Sequence, residues 1–262
     1  MNKIETKKII EDQIDNFLRA GDLSLELRSK GLVTKKKKDN TPVSNGDLEV
    51  NKIIVNKIKQ VTPNIPIISE ETTDNKNKLN LNNFWLVDPI DGTYDYINNL
   101  DEFTINAGLI LNKKPVAGLI YAPAKKRLFY TFAMGETFEI RNNELNKLNC
   151  SNVQSNKPLK LLSYSNNLKP EITKIHNRLK VKKYTRMKSS FKFCAIAASE
   201  YDGYVAEPRA CEWDIAAGHA IVKNAGGIVV DFSGNEFEYG KKNFKNTSLI
   251  VLRSKELLWM IN

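Results

Sequence analysis

Two stretches near the start of the chain carry apolar residues at helical spacing. The first runs from Ile10 to Leu18, and we predict that its helix ends at Gly21. The second runs from Ser44 to Val61 and is closed by a Thr-Pro pair at 62–63. The segment 31–45 is polar and basic, which predicts a mobile loop.

The rest of the chain shows two different patterns. Short apolar or alternating runs predict strands at 65–69, 84–87, 103–111, 116–121, 128–132 and 137–140. After residue 158, predicted strands (159–164, 182–187, 203–207, 227–231) alternate with predicted helices (171–179, 191–200, 214–225). The polar segment 141–157 separates the patterns, which predicts two layered subdomains, 1–150 of α+β type and 151–262 of α/β type.

Composition and charge narrow the class of protein only modestly. Of the 262 residues, 41% are hydrophobic and 27% charged, and no apolar run approaches a membrane span. Three cysteines without CxxC spacing, and an N-terminus without a signal-peptide pattern, predict a cytoplasmic protein. The net charge of +10 favours anionic partners of any kind. The lysine run 35–38 is typical of a solvated face.

The string Asp88-Pro-Ile-Asp-Gly-Thr93 carries the strongest chemical signal. Asp88 and Asp91 follow a buried strand, and Gly92 allows close approach of the backbone to a ligand. Mg²⁺ in proteins takes oxygen ligands, commonly one or two carboxylates with substrate phosphate and water. An isolated D-x-x-D pair is more typical of a turn and a helix cap. The complete string, with a second acidic strand end at Glu70-Glu71, favours a metal site.

A third acidic position lies at the start of a predicted helix. Asp214, within the segment Glu212–His219, precedes apolar positions that continue to Ala225. An aspartate at that point is typically an N-cap. The positive end of the helix dipole also keeps such a carboxylate ionised, as a metal ligand must be, so the two roles are compatible.

Taken in order, these motifs resemble the inositol monophosphatase superfamily of lithium-sensitive phosphatases. The matching segments are the Glu-Glu pair at 70–71, the string at 88–93, Trp-Asp-Ile-Ala-Ala-Gly at 213–218 and Ala-Gly-Gly at 225–227. The resemblance covers nearly the whole chain. It implies a layered α-β-α-β-α sandwich and Mg²⁺-dependent hydrolysis of a small phosphomonoester.

Within the superfamily the chain looks most like the CysQ type of 3′(2′),5′-bisphosphate nucleotidase. The segments that carry this resemblance are 38–44 with Asp47, 102–106, 121–123 and 189–194. The run Tyr94-Asp95-Tyr96 departs from the Lys-Glu-Phe run common in that type, and the loop 208–212 is shorter than expected. The resemblance implies conversion of 3′-phosphoadenosine 5′-phosphate to AMP and phosphate, which removes a by-product of sulfur assimilation.

The resemblance also implies a role for each residue of the metal site. The ligands implied for two or three Mg²⁺ ions are Glu70, Asp88, the carbonyl of Ile90, Asp91 and Asp214. Thr93, hydrogen-bonded to Asp47, is expected to orient and help deprotonate the attacking water, and Glu70 to take part in catalysis. From spacing alone, Ser44-x-x-Asp47 also predicts a helix capping box.

Substrate contacts are implied on both sides of the reacting phosphate. The residues expected to bind substrate are Glu70, Ile90, Asp91, Gly92, Thr93, Ser189, Ser190, Lys192, Arg209 and Asp214. Ser189 and Ser190 begin a predicted helix, which suits either an anion site or a helix cap. The two histidines, His176 and His219, have no partner at metal spacing and are predicted to be structural. Most metal ligands fall in 1–150, and Asp214 and the second group of substrate contacts in 151–262.

Three functions remain to be distinguished. The first is the bisphosphate nucleotidase, and the second is an inositol or sugar monophosphatase with the same site. The third is a non-catalytic basic protein that binds nucleic acid or a membrane surface, which a cluster of acids opposes. We therefore expect a small phosphorylated substrate and no nucleic-acid partner. The resemblance further implies inhibition by Li⁺ and a monomer or homodimer, and it leaves peripheral attachment at the inner membrane open.

Overall fold

The computed structural model describes residues 1–37, 40–72, 81–151 and 158–261. These residues form eight α-helices and fourteen strands. The helices are α1 (Lys3–Glu11), α2 (Ile14–Lys30), α3 (Asn45–Val61), α4 (Thr93–Ile97), α5 (Pro170–Arg178), α6 (Phe191–Ala197), α7 (Glu212–Asn224) and α8 (Glu256–Trp259). The strands are β1 (Thr34–Lys36), β2 (Pro42–Ser44), β3 (Ile67–Ser69), β4 (Phe84–Asp91), β5 (Thr104–Leu111), β6 (Lys114–Ala122), β7 (Arg127–Ala133), β8 (Glu136–Arg141), β9 (Glu144–Lys147), β10 (Lys160–Ser163), β11 (Lys183–Arg186), β12 (Gly203–Ala206), β13 (Ile228–Val230) and β14 (Leu249–Leu252).

The larger sheet has seven strands in the order β3-β4-β5-β6-β7-β8-β9. Only β3 and β4 among them run parallel. Along β4, Trp85 and Val87 pack into one hydrophobic cluster, whereas Phe84 and Leu86 pack into another. Because both faces of the sheet are covered, β4 is apolar at successive positions.

Five layers follow from the way these faces are covered. Helices α1, α2 and α3 cover one face of the larger sheet, and α6 and α7 cover the other. A five-stranded sheet, in the order β11-β10-β12-β14-β13, packs on the far side of α6 and α7. Its outer face carries α5 and α8. The α-β-α-β-α sandwich expected from the sequence is thereby confirmed.

The two halves of the chain share a hydrophobic core. Helix α7, from the second half, packs directly on β5 and β6. Strand β9, which the polar composition of 141–157 did not predict, extends the first sheet to Lys147. Residues 152–157 lie outside the described part of the chain. The division into subdomains 1–150 and 151–262 stays a prediction.

The predicted end of the first helix at Gly21 was wrong. The helical segment is interrupted instead between α1 and α2. Helix α2 continues through Gly21 to Lys30, with Gly31 as its C-cap. A Cβ placed on Gly21 would lie 2.1 Å from the Tyr121 ring. Gly21 therefore allows close contact between the helix and the sheet. From the local sequence, a glycine with this role looks the same as a glycine that ends a helix.

The structure corrects one further prediction and adds two elements. The segment 31–45 is not simply a loop, because β1 and β2 pair within it as an antiparallel hairpin. Strand β14 and helix α8 were not predicted at all. Of the CysQ-like segment at 38–44, residues 38–39 lie outside the described part of the chain. None of the described helices is both long and apolar enough to cross a bilayer.

Candidate metal centre and substrate cavity

A β-bulge near the end of β4 brings two aspartates to one side of the sheet. Asp88 pairs with Asn106 and Asp91 with Thr104, so three steps along β4 match two along β5. Residues three apart on a regular strand would point to opposite faces, and the extra residue removes that difference. Gly92 follows with φ 96°, and a Cβ there would lie 2.7 Å from a backbone carbonyl oxygen. The turn into α4 thus requires glycine.

Carboxylates from three elements converge beside this bulge. One oxygen each from Glu70, Asp88 and Asp214 lie within 4.8 Å of one another. Burial, followed by the charges of Glu70 and Asp91, raises the pKa of Asp88 well above its usual value. Burial, followed by Asp91 and Glu70, raises the pKa of Asp214 to about 8. Concentrated, desolvated negative charge of this kind is stabilised by a cation.

The donor set fits a hard divalent cation. Carboxylate and carbonyl oxygens are the ligands that Mg²⁺ prefers. The Ile90 carbonyl lies within the bulge between the two aspartates, where its oxygen is 3.1 Å from the hydroxyl oxygen of Thr93. The arrangement therefore suits Mg²⁺ chemically.

Asp214 is not the N-cap of α7. That position belongs to Cys211, and Asp214 is the third residue of the helix. Its Oδ2 accepts a hydrogen bond from the backbone N–H of Cys211 at 2.7 Å, as the acid of a capping box does. The helix start thus orients the carboxylate toward the cluster.

Asp47 contacts two groups with its two oxygens. Oδ2 accepts hydrogen bonds from the backbone N–H and the hydroxyl of Ser44, at 2.8 and 2.6 Å. Oδ1 lies 3.0 Å from the Thr93 hydroxyl. Asp47 therefore closes the capping box of α3 and also holds Thr93 beside the bulge. Burial raises the pKa of Asp47 above its usual value.

One lysine of the run 35–38 contacts the acidic cluster. The Nζ of Lys37 lies 2.6 Å from Oε1 of Glu70 and 2.6 Å from Oε1 of Glu71. It thereby offsets part of the negative charge at the end of β3. The predicted solvated face was wrong for this residue. The contact joins positions 33 and 34 residues apart, which local charge patterns do not reveal.

A cavity of about 290 Å³ extends from the carboxylates into the second half of the chain. Asp91, Gly92 and Asp214 line one end. The other lining residues include Tyr164, Lys188, Ser189, Ser190, Lys192, Tyr204, Glu207 and Arg209. The cavity therefore brings two expected metal ligands, Asp91 and Asp214, together with expected substrate contacts from both halves of the chain.

Among the described residues, three cationic side chains line the cavity, and two of them, Lys192 and Arg209, contact aromatic rings in its second half. Lys192 is buried, donates a hydrogen bond to the Ser189 carbonyl and lies 5.1 Å from the centroid of the Tyr204 ring. Burial lowers its pKa to about 8, although Asp91 opposes that shift. The Arg209 guanidinium lies 4.0 Å from the centroid of the Tyr164 ring. The aromatic contacts hold both cations at the cavity wall.

The unusual run after Thr93 lies at the edge of this cavity. Oδ1 of Asp95 accepts a hydrogen bond from Nζ of Lys188 at 2.6 Å. The same Nζ lies 5.1 Å from the centroid of the Tyr94 ring. Tyr94 and Asp95 thus anchor a cavity-lining lysine that the sequence motifs did not indicate.

Comparisons with known proteins agree with the fold. The model of the inositol monophosphatase family matches residues 6–258. The 3′(2′),5′-bisphosphate nucleotidase CysQ of Buchnera aphidicola is 39% identical over 207 residues, 78% of this chain and 76% of that protein. The solved structure of CysQ from Bacteroides thetaiotaomicron has 26% identity and a TM-score of 0.72, and the match covers 92% of this chain and 96% of that one. An IMPase from Thermotoga maritima also has 26% identity, with a TM-score of 0.75 over 95% of each chain.

The chain belongs to the inositol monophosphatase family. The resemblance inferred from the motifs is thereby confirmed. The roles assigned to individual site residues stay predictions, although the structure places these residues together.

Proposed function

We propose that this protein is a Mg²⁺-dependent 3′(2′),5′-bisphosphate nucleotidase that converts 3′-phosphoadenosine 5′-phosphate to AMP and phosphate. The observation that supports this most directly is one cavity lined both by Asp91 and Asp214 of the acidic site and by the cations Lys192 and Arg209. A substrate with two phosphates can place one at each group. The similarity to proteins named CysQ nucleotidases points the same way.

The carboxylate cluster would hold the metal ions. The proposed ligands are Glu70, Asp88, the Ile90 carbonyl, Asp91 and Asp214, with Glu70 also expected to take part in catalysis. When bound there, Mg²⁺ supplies positive charge for the phosphate oxygens and lowers the pKa of a water molecule. Occupancy by two or three ions and inhibition by Li⁺ are predictions that go with this assignment.

Thr93 and Asp47 would prepare the attacking water. With its proton donated to Asp47, the Thr93 hydroxyl presents its free lone pair to a water molecule and can accept a hydrogen bond from it. A proton leaving the water can then pass through Thr93 to Asp47. The raised pKa of Asp47 favours this transfer, since a base works best when its pKa approaches the working pH.

The remaining phosphate of the nucleotide would bind at the cation-lined wall. Arg209 offers a planar guanidinium that can bind two phosphate oxygens at once. Lys192 offers a single buried charge. Its attraction to a phosphate is stronger in a desolvated cavity wall than at the surface. Ser189 and Gly92 complete the proposed contacts.

A phosphate-release panel tests this assignment. We expect the highest kcat/KM for 3′-phosphoadenosine 5′-phosphate, compared with inositol 1-phosphate and fructose 1,6-bisphosphate. All release should stop when EDTA removes the metal. A preference for inositol 1-phosphate would favour the monophosphatase alternative, and turnover in EDTA would contradict the metal centre. The cytoplasmic location and the monomer or homodimer state stay predictions.

A further inference from the structure

The hydroxyl of Ser190 lies where three elements meet. Its oxygen is 2.5 Å from Oδ2 of Asp91 at the end of β4 and 2.6 Å from the carbonyl oxygen of Asp214 in α7. Nδ2 of Asn106, on β5, donates to it at 3.1 Å. Ser190 and Asn106 are both buried, with 2% and 1% of their surfaces exposed. Solvent therefore does not compete for these bonds.

A hydroxyl carries one proton and two lone pairs, so these contacts use most of its capacity. It accepts from Asn106 and donates to one of the two oxygens. The carboxylate of Asp91 is the stronger acceptor, since hydrogen bonds to ionised groups are shorter and stronger. The short hydrogen bond from the Ser190 hydroxyl therefore holds the Asp91 carboxylate in place.

We propose that Ser190 is a positioning residue that orients Asp91 for metal binding, rather than a ligand of the substrate phosphate. Its hydroxyl proton is already engaged within the protein, so it has little left to donate to a phosphate oxygen. Asn106 fixes the hydroxyl from the opposite side. The inference rests on the proposed function, because it takes Asp91 as a ligand of Mg²⁺.

Metal binding without substrate separates these two roles. Mn²⁺ serves as the probe, because it prefers the same oxygen ligands as Mg²⁺ and its unbound form is measured by electron paramagnetic resonance. We expect Ser190→Ala to bind Mn²⁺ about ten- to a hundredfold more weakly than the wild type, the usual effect of losing a group that orients a metal ligand. Ser29→Ala is the matched control. The Ser29 hydroxyl donates to the Glu26 carbonyl on the exposed surface of α2, so its loss should leave Mn²⁺ affinity unchanged.

A second variant keeps the test decisive should Ser190→Ala fail to fold. Asn106→Ala removes the bond that fixes the hydroxyl, and we expect Mn²⁺ binding to weaken by about two- to tenfold. Unchanged Mn²⁺ affinity in the folded variants, with a raised KM for 3′-phosphoadenosine 5′-phosphate in Ser190→Ala, would overturn the positioning role. A wild-type protein that binds no Mn²⁺ would contradict the proposed function itself, and this inference with it.

Discussion

Asp88 lies deepest among the acids of the cluster, with 1% of its surface exposed, and burial together with the neighbouring acids raises its pKa well above the usual value. We expect Asp88→Asn to reduce kcat by more than tenfold, a barrier change above about 1.4 kcal/mol. The fold should persist, because removing a repelled charge relieves the cluster. Circular dichroism and steady-state kinetics measure the two effects.

The exposed Asp15→Asn is the control for this change and should behave as wild type. Retention of a tenth or more of the wild-type kcat by Asp88→Asn would show that Asp88 is not an essential metal ligand.

Thr93 tests a different kind of role, because its hydroxyl is proposed to act on the water. Thr93→Ala should lower kcat strongly and change KM little, whereas Thr93→Ser keeps the hydroxyl and should retain most of the rate. A loss confined to KM would mean that Thr93 binds substrate equally in the ground and transition states.

For single residues, the sequence predicted the site side chains that belong to a local motif. It missed side chains that reach the site only because the fold brings distant segments together. In the string at 88–93, Asp88 and Asp91 lie on the same strand, and the bulge between them places both side chains on one side of the sheet. Lys37 and Lys188 reach the site from segments distant in sequence. Their charges look like those of any surface lysine until the partner acids are known.

Helix α2 gives a prediction at the scale of an element. Alanine has the higher helix propensity, so Gly21→Ala alone should stabilise an isolated helix by about 1 kcal/mol. In the folded protein the added methyl would meet the buried Tyr121 ring, and overpacking of this kind costs about 1–3 kcal/mol. We therefore expect net destabilisation in urea denaturation.

Arg19→Ala, on the exposed side of the same helix, is the control and should change the free energy of unfolding by less than about 0.5 kcal/mol. Stabilisation by Gly21→Ala would contradict the close contact between α2 and β6.

Helices and strands were predictable where they have a periodic apolar face, or where capping residues or a proline mark their ends. Helix α3 begins after Ser44 and ends before Thr62 as expected, because its capping box and following proline are local signals. The hairpin of β1 and β2 lacks an apolar face, since five of its six residues are not buried, so its pairing leaves no hydrophobic pattern. Strand β9 is exposed throughout for the same reason.

For the whole molecule, the five layers follow from covering both faces of two sheets, and the carboxylates concentrate where the layers meet.

A carboxyl group with a raised pKa binds more protons in the folded than in the unfolded state, so stability falls as pH rises between the two pKa values. For Asp214 that interval runs from about 4 to about 8.

We therefore expect the metal-free protein to lose thermal stability as pH rises from about 7 to about 8.5. A loss of about 1 kcal/mol corresponds to about 2–4 °C in Tm for a chain of this size. Saturating Mg²⁺ should reverse the loss, and Asp214→Asn should flatten the profile in EDTA. The comparison with this variant removes the contributions of other titrating groups. Identical profiles for wild type and Asp214→Asn would contradict the raised pKa of Asp214.

Our central claim is that one cavity binds both phosphates of the substrate. The most direct test compares the hydrolysis of two nucleotides. Lys192→Ala should lower kcat/KM for 3′-phosphoadenosine 5′-phosphate by about 10- to 150-fold, the effect of losing a charge-assisted hydrogen bond. Hydrolysis of 3′-AMP, which lacks the second phosphate, should change little. Measurement at pH 7 keeps Lys192 protonated, since its pKa is about 8.

Lys59→Ala, an exposed lysine of α3, is the control and should leave both substrates unaffected. A large loss on the bisphosphate alone is the result that our account predicts. Equal losses on both nucleotides, or no loss on either, would contradict it.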